Sequence, residues 1–142
     1  MVEKITVKAD EFWRFRLDEY NPRHEPQSQQ QDIIDYLTAN EDVVPLSEDL
    51  VAQGGLSPLE RFGAVRSGDF LVVVEGNRRI CSLMLLADPE LAPAKYRARI
   101  REAAHGWKPE LVELDVAVFD KREDADPWIE RRHQGALGGA GL

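Results

Sequence analysis

Two arginines directly behind a glycine are the residues in this chain best placed to do chemistry. The stretch Glu75-Gly76-Asn77-Arg78-Arg79 follows the apolar run Phe70-Leu71-Val72-Val73-Val74 and precedes Ile80, Leu83, Met84 and Ala87, which fall at i, i+3, i+4 and i+7. The period therefore changes at Gly76 from that of a buried strand to that of an amphipathic helix, which predicts a helix N-terminus at Asn77 and a stop at Asp88-Pro89. The first backbone N–H groups of a helix lack partners and form the positive end of its dipole. Two guanidinium groups in the same turn are costly unless an anion offsets them. The chemistry to expect is binding of a phosphate or carboxylate, with Glu75 adding a carboxylate at the strand end. The competing account is structural, in which Arg78 and Arg79 pair with some of the 26 acidic side chains.

Several elements must position that corner. Residues 59–65 read as a strand joined to 70–74 through Ser67-Gly68-Asp69, a hairpin that delivers the chain to Gly76. Further upstream, Lys4-Ile5-Thr6-Val7-Lys8 alternates as a half-buried strand does, and the bulk of Phe12, Trp13, Phe15 and Leu17 assigns them to the core in a helix or an extended segment. Asn21-Pro22-Arg23 sets a turn that presents Arg23. Ser28 and Gln31 form a capping box for a helix that buries Ile33, Ile34 and Leu37 and runs to Asn40. Ser47 is predicted to cap a second short helix, with Glu48 and Asp49 in its first turn and Gly54-Gly55 at its end. Downstream, residues 89–104 show a weak apolar stripe, and Arg97, Arg99 and Arg101, spaced by two, form no single face, so a solvated connection is expected. Val112, Leu114, Val116 and Val118 alternate as a strand, and a helix follows through Trp128 to His133. Gly135, Gly138, Gly139 and Gly141 remove helix propensity, which makes 135–142 a flexible tail leading to further sequence and 1–134 the domain.

The 142 residues, 43% of them hydrophobic, suffice for one domain with a core, and the predicted elements give an α+β class: a small mixed sheet with a hairpin and packed helices. A formal charge of −8 and a pI near 4.9 repel a nucleic-acid backbone, and no stretch clusters about five Lys or Arg as a general DNA-binding surface does. The single cysteine, Cys81, lies on the apolar side of the predicted helix and reads as core. It has no disulfide partner, as suits a reducing cytosol. With no leader and no apolar run near the roughly 18 residues of a membrane span, the chain is expected to be soluble and cytoplasmic. His24, His105 and His133 are too dispersed for a local zinc motif, and the G-x-x-x-x-G-K-[ST], G-x-S-x-G and G-x-G-x-x-G patterns do not occur.

Asn21-Pro22-Arg23, Gly55-Leu56-Ser57-Pro58 and Glu75-Gly76-Asn77-Arg78-Arg79 occur in the order found in the N-terminal domain shared by ParB partition proteins and sulfiredoxin, and the chain resembles that superfamily over about residues 4 to 133. The resemblance implies a ParB/sulfiredoxin-like fold with a nucleotide pocket for CTP or ATP and Mg²⁺. Arg23, Gly76, Asn77, Arg78 and Arg79 would then lie around the phosphates. ParB proteins also carry a later Glu-Asn-x-x-Arg helix, and Ile129-Glu130-Arg131-Arg132-His133 sits where it would be, with Arg131 in place of the asparagine. By that match Glu130 would hold metal or orient water and Arg132 would touch phosphate. Sulfiredoxin's catalytic cysteine has no counterpart in this corner, so sulfinic-acid reduction is not expected. The DNA-reading helix-turn-helix of ParB lies beyond the matched segment, so DNA would be reached only through a further domain.

The function expected from residues and resemblance together is nucleoside-triphosphate binding with slow Mg-dependent hydrolysis or conformational switching, Glu75 or Glu130 orienting magnesium or water. The alternatives are a metal-dependent nuclease using Glu75, Asp69 and Glu130, a non-catalytic protein-interaction module whose arginines form ion pairs, and a small-molecule kinase. Homodimer formation is left open.

Overall fold

In a computed structural model, the chain is described over residues 2–18, 30–57 and 59–141, with side chains through Arg131. Five strands, β1 (Val2–Lys8), β2 (Phe15–Leu17), β3 (Phe62–Ser67), β4 (Phe70–Glu75) and β5 (Glu113–Phe119), form one sheet in the order β1-β5-β3-β4-β2. β1 and β5 run antiparallel, as do β3 and β4, while β3–β5 and β2–β4 are parallel. The mixed sheet and its packed helices make this the α+β domain that the pattern of elements predicts.

Alternation along the strands decides what covers each face. Leu71 and Val73 of β4, Ala64 of β3 and Leu114, Val116 and Val118 of β5 enter the main core. There they meet α1 (Gln30–Asn40), α2 (Val43–Gln53), α3 (Asn77–Ala87) and α4 (Ala94–Ala104). Val65 and Val74 point the other way and pack with Phe119, and with Ala125 and Ile129 of α5 (Arg122–Gly141). Such packing on both faces is what a near-continuous apolar strand such as β4 requires. No helix among the described residues is long and apolar enough to cross a membrane.

The hairpin is formed as expected, with Ser67 opposite Phe70 and Gly68 supplying the positive φ of 60° in the two-residue loop. β3 begins three residues later than its sequence suggests, because Ser57 draws residues 59 and 60 into a turn. Its Oγ accepts from Leu59 N–H at 3.1 Å and its carbonyl accepts from Glu60 N–H at 3.0 Å. α2 starts at Val43, ahead of the predicted cap. Ser47 is buried within the helix and donates to the Val43 carbonyl at 2.8 Å, so it caps nothing.

Residues 94–104 are a helix where a solvated connection was expected. Its stripe is narrow, a fully buried Ile100 flanked by the partly buried Tyr96, Ala103 and Ala104, while Arg97, which donates to the Ala92 carbonyl, and Arg101 both pair with Glu90 and Arg99 pairs with Glu48. Helical backbone continues in α5 through Gly135, Gly138 and Gly139, beyond where glycine content alone would end it. The Ser28 cap and the Asn21-Pro22-Arg23 turn lie outside the described residues.

Candidate functional site

The corner forms where the sequence puts it. β4 ends at Glu75, Gly76 is the N-cap of α3 with φ 96° and ψ 20°, and the helix begins at Asn77. Gly76 is required twice over. Its backbone is left-handed, and a Cβ built there would fall 2.5 Å from Phe62 Cδ1, so the absence of a side chain lets the Phe62 ring of β3 pack against the corner. The N-cap is a glycine and so supplies no side-chain cap to α3.

Four candidate side chains share this corner with Gly76, and they divide in role. Arg78 is exposed on the first turn, and its side chain has no hydrogen-bond or ion-pair partner among the described residues. Arg79 Nε lies 2.8 Å from Glu60 Oε1, a pair whose side chains are 35% and 21% exposed, so the structural account given by composition holds for this arginine. Asn77 is buried and has both ends of its amide engaged: Oδ1 accepts from Asp18 N–H at 2.9 Å and Nδ2 donates to the Val73 carbonyl at 2.8 Å. It ties the end of β2 to β4 at the start of α3. Its side chain therefore positions the corner and is not available to a ligand. Glu75 is half-buried at the end of β4, opposite Gly63.

Asp18, unflagged by sequence, links this corner to α5. Its side chain is 6% exposed and takes a bidentate pair from Arg122, with Nη2 2.8 Å from Oδ1 and Nη1 3.1 Å from Oδ2. Gln30 stands beside it with its amide hydrogen-bonded to Leu17. The segment 19–29, which carries Arg23, thus leaves and re-enters the described fold at Asp18 and Gln30, next to Asn77. Arg23 itself lies outside the described residues, as does the side chain of Arg132. Glu130 is exposed on α5, one residue beyond Ile129, which packs with Val65 and Val74.

The carboxylates named for a nuclease, Asp69, Glu75 and Glu130, do not all come together. Asp69 and Glu75 stand at opposite ends of the six-residue β4, roughly 17–20 Å apart at about 3.3 Å per residue, so they cannot share a metal. No group of three or more His, Cys, Asp or Glu among the described residues is arranged to hold a metal ion. Cys81 is fully buried, and burial pushes its thiol up to about 12, with a hydrogen bond to Thr38 lowering it and Asp35 raising it further. A thiol so placed is neither a nucleophile nor a ligand.

A cavity of about 430 Å³ lies away from these residues, bordered by Gly55, Leu56, Trp107, Lys108 and Leu111, and a second of about 370 Å³ lies between Arg16, Asp18, Val72 and Arg122. The chain matches no family model, no curated protein and no solved structure. The resemblance to ParB and sulfiredoxin accordingly rests on the three sequence motifs.

Proposed function

We propose that this domain is a ParB-like nucleoside-triphosphate-binding module, acting as a slow Mg-dependent NTPase or nucleotide switch, that receives phosphate at the N-terminus of α3. The observation that carries this is Arg78, an exposed cation with no side-chain partner among the described residues, in the first turn of a helix whose N-cap is a glycine. A cation there opposes the helix dipole, and a phosphate reverses the sign of that interaction. Arg23 and Arg132 are the further phosphate contacts, with Gly76 making the left-handed turn that opens the helix at Asn77. Arg79 contributes by steering charge while paired with Glu60. Magnesium, commonly held by one or two carboxylates plus phosphates, would take Glu75 or Glu130 and offset phosphate charge. CTP and ATP are the nucleotides to try first.

Thermal shift and titration calorimetry with CTP, ATP and GTP, each with and without Mg²⁺, test this directly. A nucleotide at about 100 times its Kd adds roughly 2.7 kcal/mol, which in a chain of this size raises Tm by roughly 5–10 °C. Arg78→Ala should abolish the shift while leaving the Tm of the free protein within about 1–2 °C. Absence of heat and of any shift with all three nucleotides would leave the corner as ordinary structure.

A further inference from the structure

The two edges of the sheet are finished differently. On β2, Leu17 N–H donates to Gln30 Oε1 at 2.7 Å and Gln30 Nε2 donates to the Leu17 carbonyl at 3.1 Å. Phe15 N–H bonds to the Phe12 carbonyl, and the Phe15 carbonyl accepts from Arg16 Nη1 at 3.1 Å. The chain itself occupies the outward backbone groups of that edge. On β1, no hydrogen bond among the described residues reaches the outward edge of the seven-residue strand Val2–Lys8. The segment 19–29 departs and returns at β2, across the sheet. An unpaired edge of this length is a template for another strand.

Charges along β1 and β5 say which strand. Lys4 lies opposite Ala117, and Thr6 lies opposite Asp115, so all four share one face. Thr6 Oγ1 is 3.3 Å from Asp115 Oδ1, and neither Lys4 nor Asp115 has an ion-pair partner among the described residues. We propose that a second copy of this chain adds to β1 as an antiparallel strand, with Ile5 opposite its own counterpart on a two-fold axis.

Symmetry and charge fix that register. A two-fold axis normal to a continuous sheet keeps each face on its own side, so facing residues must have the same parity along β1. Centring on Ile5 pairs every residue of Val2–Lys8 and sets Lys4 of one copy against Thr6 of the other, with Asp115 next in the row. Lys4 and Asp115 are then two strand spacings apart, about 10 Å between backbones, which their side chains span. Centring on Lys4 would oppose two lysines, and centring on Thr6 would oppose Lys4 and Lys8, both destabilising. The charges that discourage foreign strands thereby select this one.

Sedimentation of the full chain over a wide concentration range should show a species approaching twice 16.1 kDa. Lys4→Glu should weaken association about tenfold by setting like charges in two symmetric rows, and adding Asp115→Lys should restore it. Under mild oxidation Ile5→Cys should form a disulfide between copies. Glu3→Cys should not, because its counterpart lies four residues along the strand, beyond disulfide reach. A chain that stays monomeric throughout, or cysteines at 3 and 5 that cross-link equally fast, overturns the proposal. If Ile5→Cys does not fold, the charge swap decides alone, and failure of Asp115→Lys to rescue Lys4→Glu refutes the register.

Discussion

Replacing Asn77 by alanine separates a clamp from a ligand-binding side chain. In the native chain the amide accepts from Asp18 N–H at 2.9 Å and donates to the Val73 carbonyl at 2.8 Å, and Asn77 is 7% exposed. Alanine leaves both backbone groups without this partner. An orphaned buried group costs about 1–3 kcal/mol, toward the low end for a carbonyl, whose second lone pair can bond elsewhere. Alanine's better helix propensity returns up to about 0.7 kcal/mol. The net expectation is a loss of about 2 kcal/mol, read as a lower urea midpoint at unchanged m-value. Hydrogen exchange adds a local readout: the Asp18 amide should lose protection more than amides in the middle of β5. A variant that loses under about 0.5 kcal/mol and keeps the Asp18 amide protected refutes the clamp. If that same variant loses nucleotide binding, Asn77 belongs to the ligand.

Two further outcomes follow from the corner and from the core beneath it. Gly76→Ala meets the Phe62 ring at 2.5 Å and places a Cβ on a backbone with φ 96°, so chemical denaturation should show a loss of roughly 2–4 kcal/mol, and truncating Phe62 in that background should not restore it fully because the backbone strain remains. Cys81, raised by burial from an ordinary value of 9.0 to about 12, keeps its proton in the fold while the unfolded chain ionises; its stabilising effect is complete below about pH 9 and lost as pH rises toward about 12, so urea midpoints at about pH 8 and about pH 10.5 should differ less in Cys81→Ala than in the parent.

The corner was legible because a change of period marks it. Phe70–Val74 and Ile80–Ala87 obey different repeats, and Gly76 is the residue type that can turn between them. α4 was hidden because its buried stripe is little wider than Ile100 and its composition is dominated by arginine and alanine. Ser47 misled because serine donates to a carbonyl one turn back as readily as it caps, and the apolar Val43 and Val44 decided in favour of an earlier start. The partnerships that assign roles at the corner carry no local signal. Glu60 and Arg79 meet only once β3 and α3 are packed, Asp18 and Asn77 are 59 residues apart, and Asp18 and Arg122 are 104 apart. Of the arginines read together from sequence, packing paired Arg79 with Glu60 and left Arg78 exposed, which is why the proposed anion site rests on Arg78.

Gln30 has a consequence for how large any assembly of this sheet can grow. Its amide offers one acceptor and one donor to Leu17 in the places where the next strand's peptide groups would sit, as a terminating unit occupies the end of a growing polymer. A sheet with two reactive edges can add copies without limit, whereas a sheet with one reactive edge is monofunctional and stops at a pair. Under the proposed pairing at β1, Gln30, with the Phe12 carbonyl and Arg16 beside it on β2, would hold the assembly at a pair and keep it from growing into a fibre.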